Sequence, residues 1–357
     1  MEKPKRDVDF LVVGQGIAGT VFSFLLDKNQ HRFIVLDSEA KPAATDAAAG
    51  IMNPITGKHL TLSWNYQELY PIATTLYKEM CRELGLEIQL EKPVVRAFKF
   101  QTQLNDWEYR SSQQRYAAFM TSPPSTIQNE PRIKTAVGKG ATAYSFQIPI
   151  HELRKRWKSH LMDKAVYLED SFDYSAVAWE GGYGMYKDIK FKHLICSEGA
   201  YVKHNPYFNY LPFDPAKGEA LIIRINNWYN DIIYKGNVFI APWDGEELFW
   251  VGGTYAWHTE NPYPTAEKKA QLITQLESMF DGDYEIVDQV AGLRPATKDR
   301  KPIIGSHPDI QGLYILNGMG TKGTSLSPYC AKQLYNHILH KAPIDPEISI
   351  DRFTSSP

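Results

Sequence analysis

The hydrophobic pattern of the first forty residues predicts a strand, a helix and a second strand in succession. Asp9-Phe10-Leu11-Val12-Val13 is a short run of β-favouring residues, Ile17 to Asp27 is apolar over a helical length, and Phe33-Ile34-Val35-Leu36 is a second β run. Ala40 to Lys58, rich in Ala, Gly, Asn and Pro, predicts an extended loop, and a helix from Tyr66 to Leu84 follows it and stops at Gly85. Between Glu87 and Ala143 polar and aromatic residues and the Pro123-Pro124 pair displace this alternation, which predicts an inserted unit. A helix from Ile150 to Met162, a strand from Ala165 to Leu168 and the apolar run Lys192 to Cys196 restore it. From Leu211 to Val290 strand-like runs return, Ala220 to Ile223 and Leu248 to Val251 among them, with one helix from Ala266 to Phe280. Leu313 to Leu316, a Gly-rich turn and a helix from Pro328 to Leu339 close the pattern.

Composition narrows the class. A chain of 357 residues, 43% hydrophobic and 22% charged, buries a large core as one threaded unit or two domains. Its formal net charge of -2 gives no global attraction to nucleic acid or an anionic membrane. Cys81, Cys196 and Cys330 are far apart and lack metal-ligand spacing, so they read as buried thiols in a reducing compartment, and no metal site is expected. Phe10 to Leu26 carries no charge and follows the basic Lys3-Pro4-Lys5-Arg6, the layout of a leader or anchor. Asp7, Asp9, Gln15 and three glycines argue against both, so no membrane span is expected and the cytoplasm is the expected location.

Those glycines have a better explanation. Gly14-Gln15-Gly16-Ile17-Ala18-Gly19 directly follows a strand and opens a helix, the context that gives the pattern meaning. Gly14 permits a tight turn, Gly16 removes the side chain that would hold a pyrophosphate off the backbone, and Gly19 permits close helix-on-strand packing. The helix N-terminus offers unpaired N–H groups to phosphate. Asp37, with Ser38 after it, ends the second strand, where a carboxylate can accept from ribose hydroxyls. An acid there disfavours NADP and leaves NAD and FAD open.

Segments far from the fingerprint decide between them. Ala48-Ala49-Gly50-Ile51, Cys196-Ser197-Glu198-Gly199-Ala200, Pro215 to Glu219, Gly292-Leu293-Arg294-Pro295-Ala296-Thr297-Lys298-Asp299 and Gly318 to Pro328 together resemble the D-amino-acid oxidase and glycine oxidase superfamily of FAD-dependent oxidoreductases. The resemblance implies an α/β fold: a discontinuous Rossmann-like FAD-binding domain of residues 1–86, 145–210 and 294–357, interleaved with a smaller α+β substrate domain of residues 87–144 and 211–293 containing a mixed or antiparallel sheet. The small residues about Gly50 suit the edge of a flat ring system. Gly318, Gly320, Thr321, Lys322, Gly323 and Thr324 precede a helix and present amides to negative charge; the resemblance implies the pyrimidine side of the flavin there. Phe172 or Asp173 is the candidate for holding the adenine through backbone atoms. Some relatives attach flavin to a cysteine near Gly292-Leu293-Arg294; this chain has none there, so non-covalent FAD is expected.

Hydride transfer to a flavin depends on positioning, so the substrate residues should be anchors. Arg294 can grip a carboxylate with two parallel hydrogen bonds, and the resemblance implies that role. Relatives usually add a tyrosine hydroxyl where this chain has Phe239, which puts a substrate as simple as glycine in doubt. Tyr255 is the candidate replacement, with Trp257, His258 and His59 as further pocket residues, His59 following the small-residue loop beside Lys58. The expected reaction is oxidation of the C–N bond of a small carboxylated amine. The same anchor suits a 2-hydroxy acid or an N-substituted glycine on a tRNA base, for which His151 to Lys158 offers a basic run. A protein holding FAD without turnover is the alternative of another class.

Overall fold

Two large sheets organise the chain, and their strands come from widely separated segments. The structure is a computed structural model that describes residues 6–86, 91–123, 130–134, 137–228 and 231–353; Lys3 to Lys5, Glu87 and Pro124, named above, lie outside them. The first sheet has eight strands, five of them a parallel core in the order Tyr167–Glu169, Phe33–Asp37, Arg6–Val13, Ile189–Cys196 and Leu313–Asn317. The apolar runs form this core because parallel strands are covered on both faces and tolerate no polar alternation: Leu11, Val12, Val35, Leu194 and Ile195 are fully buried. Phe10 to Leu26 is therefore a buried strand, a tight turn and a helix, Ile17–Lys28, packed against the C-terminal helix Gly323–His340.

The second sheet has nine strands and is antiparallel except where Ile233–Lys235 runs parallel to Val94–Phe98. Glu285–Arg294, Ala216–Arg224, Leu248–Gly252, Phe239–Pro242, Ile233–Lys235, Val94–Phe98 and Gly138–Thr142 follow one another across it. Its two faces have different covers. Leu221, Ile223, Ile240, Phe249 and Val251 pack against Leu272 and Leu276 of the helix Ala266–Glu277. The alternate residues Val94, Ala220, Ile222, Ile233, Ala241 and Trp250 instead face Ala49 and Ile51.

The α/β class expected from the pattern is the class observed, with two local corrections. The loop expected from Ala40 to Lys58 contains structure: Ile51–Met52 pairs with Phe146–Gln147, and Ile55–Thr56 forms a hairpin with Thr61–Leu62. The last helix begins at Gly323, five residues before the expected Pro328. Proline removes the N–H that would pair with the carbonyl of Thr324, and the buried Tyr77 hydroxyl donates to that carbonyl at 2.9 Å instead. No helix among the described residues is long and apolar enough to cross a membrane.

Candidate active site

Parallel pairing brings the four strand ends at Val13, Asp37, Cys196 and Asn317 to one edge of the first sheet, and each glycine turn follows one of them or packs onto it. Hydrogen bonds tie the turns together: Gly14 N–H to the Leu36 carbonyl at 2.9 Å, Ser197 Oγ to the carbonyls of Val13 and Gly14, and Asn317 Nδ2 to the Gly199 carbonyl at 3.0 Å. The glycines divide by what surrounds them. A Cβ on Gly19 would lie 1.9 Å from the Gly14 carbonyl oxygen and one on Gly14 2.5 Å from that of Ser197, so both are packing glycines. A Cβ on Gly16 would meet nothing closer than Thr45 Oγ1 at 3.6 Å, and one on Gly199 nothing within 4 Å. Those two turns face open space, the cradle that a pyrophosphate needs beside the helix that starts at Ile17, Ala18 and Gly19.

Asp37 is not alone at its strand end. Arg154, from the helix Ile150–Asp163, donates from Nη2 to Asp37 at 3.1 Å, from Nη1 to both oxygens of Asp46, and from Nε to the Gln15 carbonyl at 2.8 Å. Burial pushes the Asp37 carboxyl up from its ordinary range, while Arg154 and the Gln15 N–H pull it back. The basic run from His151 to Lys158 is thus mostly consumed within the fold, because Arg156 pairs with Glu152 and Lys158 with Glu39 and Glu169. Sequence reasoning missed Arg154; the charge run read as a solvated face, and only the packing of its helix turns this residue inward.

Ser38 accepts from the Ser171 hydroxyl at 3.2 Å. Phe172 packs its ring 4.4 Å from that of Tyr186, and Asp173 turns its carboxylate back onto Ser175 while its N–H donates to Tyr186. The Asp173 carboxylate and N–H are thus both engaged in and beside its own turn. On the other side of the strand ends, Gly318 and Gly320 have φ of +82° and +54°, Thr321 is exposed, Gly323 packs on Ile17, and Thr324 is buried in the first helical turn. Burial, with Arg300 near it, lowers the Lys322 ammonium from its ordinary value.

The loop after Asp37 lies against the second sheet. Trp250 Nε1 donates to the Ala47 carbonyl at 3.0 Å, Gln147 Nε2 to the carbonyls of Ala49 and Pro242, and a Cβ on Gly292 would lie 2.7 Å from Ala44 Cα. Ala48 packs into the core below, and Gly50, at φ +67°, approaches Ile148 so closely that a Cβ would lie 1.9 Å from its carbonyl oxygen. None of these contacts leaves room for larger residues.

Arg294 ends its strand beside this junction. The guanidinium lies over Gly218, where a Cβ would be 1.9 Å from Nη2, and beside Gly253, where it would be 3.1 Å away. Nη1 donates to the carbonyls of Thr254 at 3.0 Å and Lys217 at 3.3 Å, and the group stacks on the Tyr255 ring at 4.5 Å. No carboxylate among the described residues pairs with it, and burial lowers its affinity for its proton. A structural ion pair is therefore not its role. Tyr255 and Trp257 are exposed and stack at 6.4 Å between centroids, and His258 follows at the rim in a left-handed conformation. His59 is exposed in the turn of the Ile55–Leu62 hairpin, away from Arg294 in sequence but on the same side of the sheet, since Arg96 binds the carbonyls of Ile55 and Gly57. Phe239 lies on the sheet face that carries Arg294, with Lys235 Nζ 4.2 Å from its ring centroid. Sequence reasoning did not bring Lys235 and Arg96 together with Phe239, since nothing in the sequence sets their strands in register.

An open phosphate cradle at a parallel-sheet edge, joined through a small-residue loop to a second sheet bearing an unpaired arginine, defines a nucleotide-dependent enzyme of two interleaved sheets. The model for FAD-dependent oxidoreductases of the DAO family matches residues 9–336, and the chain belongs to that family. It is 24% identical to a glycine oxidase of Bacillus licheniformis over 94% of each chain. It is 22% identical to a glycine oxidase of Geobacillus kaustophilus over 90% of each, and the crystal structure of a glycine oxidase from that organism superposes with a TM-score of 0.77, covering 95% of this chain and 96% of that one. An iminodiacetate oxidase of a Chelativorans species superposes with a TM-score of 0.78 at 17% identity, over 95% and 99% of the two chains. The protein is an FAD-dependent oxidoreductase.

Proposed function

We propose that this protein oxidises the C–N bond of a small carboxylated amine, with residues 1–86, 145–210 and 294–357 holding FAD without a covalent link and residues 87–144 and 211–293 shaping the substrate pocket. The observation that carries the reading is the Arg294 guanidinium, fixed by two backbone carbonyls, two glycines and a tyrosine ring, with no acid among the described residues to neutralise it. A buried cation without a counter-ion is costly, and a substrate carboxylate removes that cost on binding. FAD, when bound, supplies a two-electron acceptor for the hydride that leaves the substrate carbon as its nitrogen lone pair forms the C=N bond.

This chain's residues then have positional work. Gly16 and Gly199 admit phosphates, Asp37 with Arg154 closes the ribose end, and Gly50 with Ala49 brings backbone to the ring edge. Arg294 sets the carboxylate, Tyr255 forms the platform beneath the guanidinium, and Phe239 with Trp257 excludes water. Cys81, Cys196 and Cys330 are buried inside the fold, and none lies in the Gly292 to Arg294 segment, so acid precipitation should release all of the flavin into the supernatant.

The test is an anaerobic absorbance titration of the holoprotein with carboxylated amines, D-amino acids and 2-hydroxy acids, repeated with Arg294→Lys and Arg294→Ala. One amine should bleach the flavin. Truncation should lower kcat/KM by about 100-fold, the scale expected for removing one member of a buried charge pair, with the resting flavin spectrum retained. Wild-type kinetics in Arg294→Ala would remove the reading, and bleaching by a 2-hydroxy acid alone would move it to C–O oxidation. The relatives named glycine oxidase support the amine class; the absence of a tyrosine at Phe239 separates this chain from the simplest member of that class.

A further inference from the structure

Arg294 shares with Arg96 and Lys235 the face of the nine-stranded sheet that looks onto the 44–57 loop. Strand pairing places Arg96, Lys235, Phe239, Gly252, Ala220 and Val290 in one cross-strand row, and residues in such a row project to the same face. Arg294 lies four residues from Val290 on the same strand and so shares that face, and its guanidinium returns toward the row to rest beside Gly253. Lys235 Nζ sits over the Phe239 ring and has no hydrogen bond or ion pair with any described residue. Arg96 is buried; it donates to the Ile55 and Gly57 carbonyls, and its Nε is buried without a partner.

Among the acids of this sheet, Glu285 pairs with Arg224, and Asp288, on the edge strand four strands from Lys235, accepts from the Gln289 N–H. Glu219 projects to the opposite face, bound to Lys217, Thr265 and Gln289, and Asp231 pairs with Lys92 at the sheet edge. Two cations without an acid, partly or wholly withdrawn from water, oppose one another across paired strands, which costs stability unless an anion visits. Burial, with Arg96 adding to it, lowers Lys235 to about 8, in keeping with that environment. Three strand spacings, about 14 Å, separate the Lys235 strand from the Ala216–Arg224 strand over whose Gly218 the Arg294 guanidinium lies, and the Lys235 side chain extends across part of that gap to lie over Phe239 on the next strand. With both side chains reaching into that gap, one small molecule with an anion at each end spans the two cations.

We propose that the substrate carries two carboxylates, one gripped by Arg294 and the other held by Lys235 and Arg96 across the Phe239 ring. This rests on the reading of Arg294 given above. Phe239 then has a positive role: where a tyrosine hydroxyl would reach for the first carboxylate, the bare ring supports the ammonium that meets the second.

Inert acids test the proposal without turnover. Binding of succinate and glutarate to the holoprotein is measured by calorimetry at pH 7 against butyrate and valerate, which match them in length and lack one charge. The dicarboxylates should bind at least tenfold more tightly. Lys235→Met should erase most of that preference while moving the monocarboxylate constants less than twofold, and Lys235→Arg should retain it. Equal binding of both acid classes by the wild type, or a preference that survives Lys235→Met, overturns the proposal. Arg294→Lys separates the two claims: it should weaken both classes, and if it weakens neither, the carboxylated-amine reading of the site fails as well.

Discussion

Several side chains are held in states that water would not favour, and each makes a measurable claim at the residue scale. Glu198 follows the strand Ile189–Cys196; burial raises its carboxyl to about 7 although Asn205 donates to it at 2.8 Å, and one of its oxygens is buried without a partner. The folded chain therefore holds this proton more tightly than the unfolded chain. The resulting stability is complete below about pH 4, the unfolded value, and is lost as pH rises through 7. Its loss is worth at most about 3 kcal/mol. Thermal unfolding followed from pH 5 to 8 should show Tm falling in the wild type and a flatter profile in Glu198→Gln; identical slopes would assign the trend to other groups. Lys235 has the opposite sign. Its folded value lies below the unfolded one, so its charged form opposes folding at pH 7, and Lys235→Met should leave the ligand-free protein as stable or more stable while it weakens binding of a dianion.

The first sheet shows what local sequence controls at the scale of elements. The strand and helix at Asp9 to Asp27 were legible because turn, helix and strand are contiguous and each obeys its own period. The start of the C-terminal helix was not, since Pro328 reads as a start and the compensating donor, Tyr77, is far away in sequence. Gly50 also owes its identity to a distant partner, Ile148. At φ +67° and with no space for a Cβ, Gly50→Ala should cost roughly 2 kcal/mol or more and weaken FAD retention, measured by flavin released on gel filtration. Full retention at unchanged Tm would show that the loop shifts without penalty.

At the scale of the whole molecule, the two sheets share one junction, the 44–57 segment that reaches from the first sheet onto the second, and the proposed cofactor site includes it. Cofactor affinity should therefore appear as stability of the whole chain. At a free FAD concentration 100 times Kd the linkage is about 2.7 kcal/mol, which for a chain of this size raises Tm by a few degrees. Calorimetry of apo and holo protein checks this; a shift confined to one of two separate transitions would mean that the sheets unfold independently.

The sequence by itself determined the α/β class, the glycine turns at the sheet edge and the family, and it singled out Arg294 as a candidate, because those signals lie in contiguous segments where strand, turn and helix chemistry can be read in order. Tertiary structure decided what surrounds them. Arg154 reaches Asp37 and Asp46 from more than a hundred residues away, and Arg96 and Lys235 stand beside Phe239 through strand register alone. Whether a charge is solvated, paired or left facing a pocket depends on what the other strands and helices place next to it, and that is settled when the sheets pair and pack.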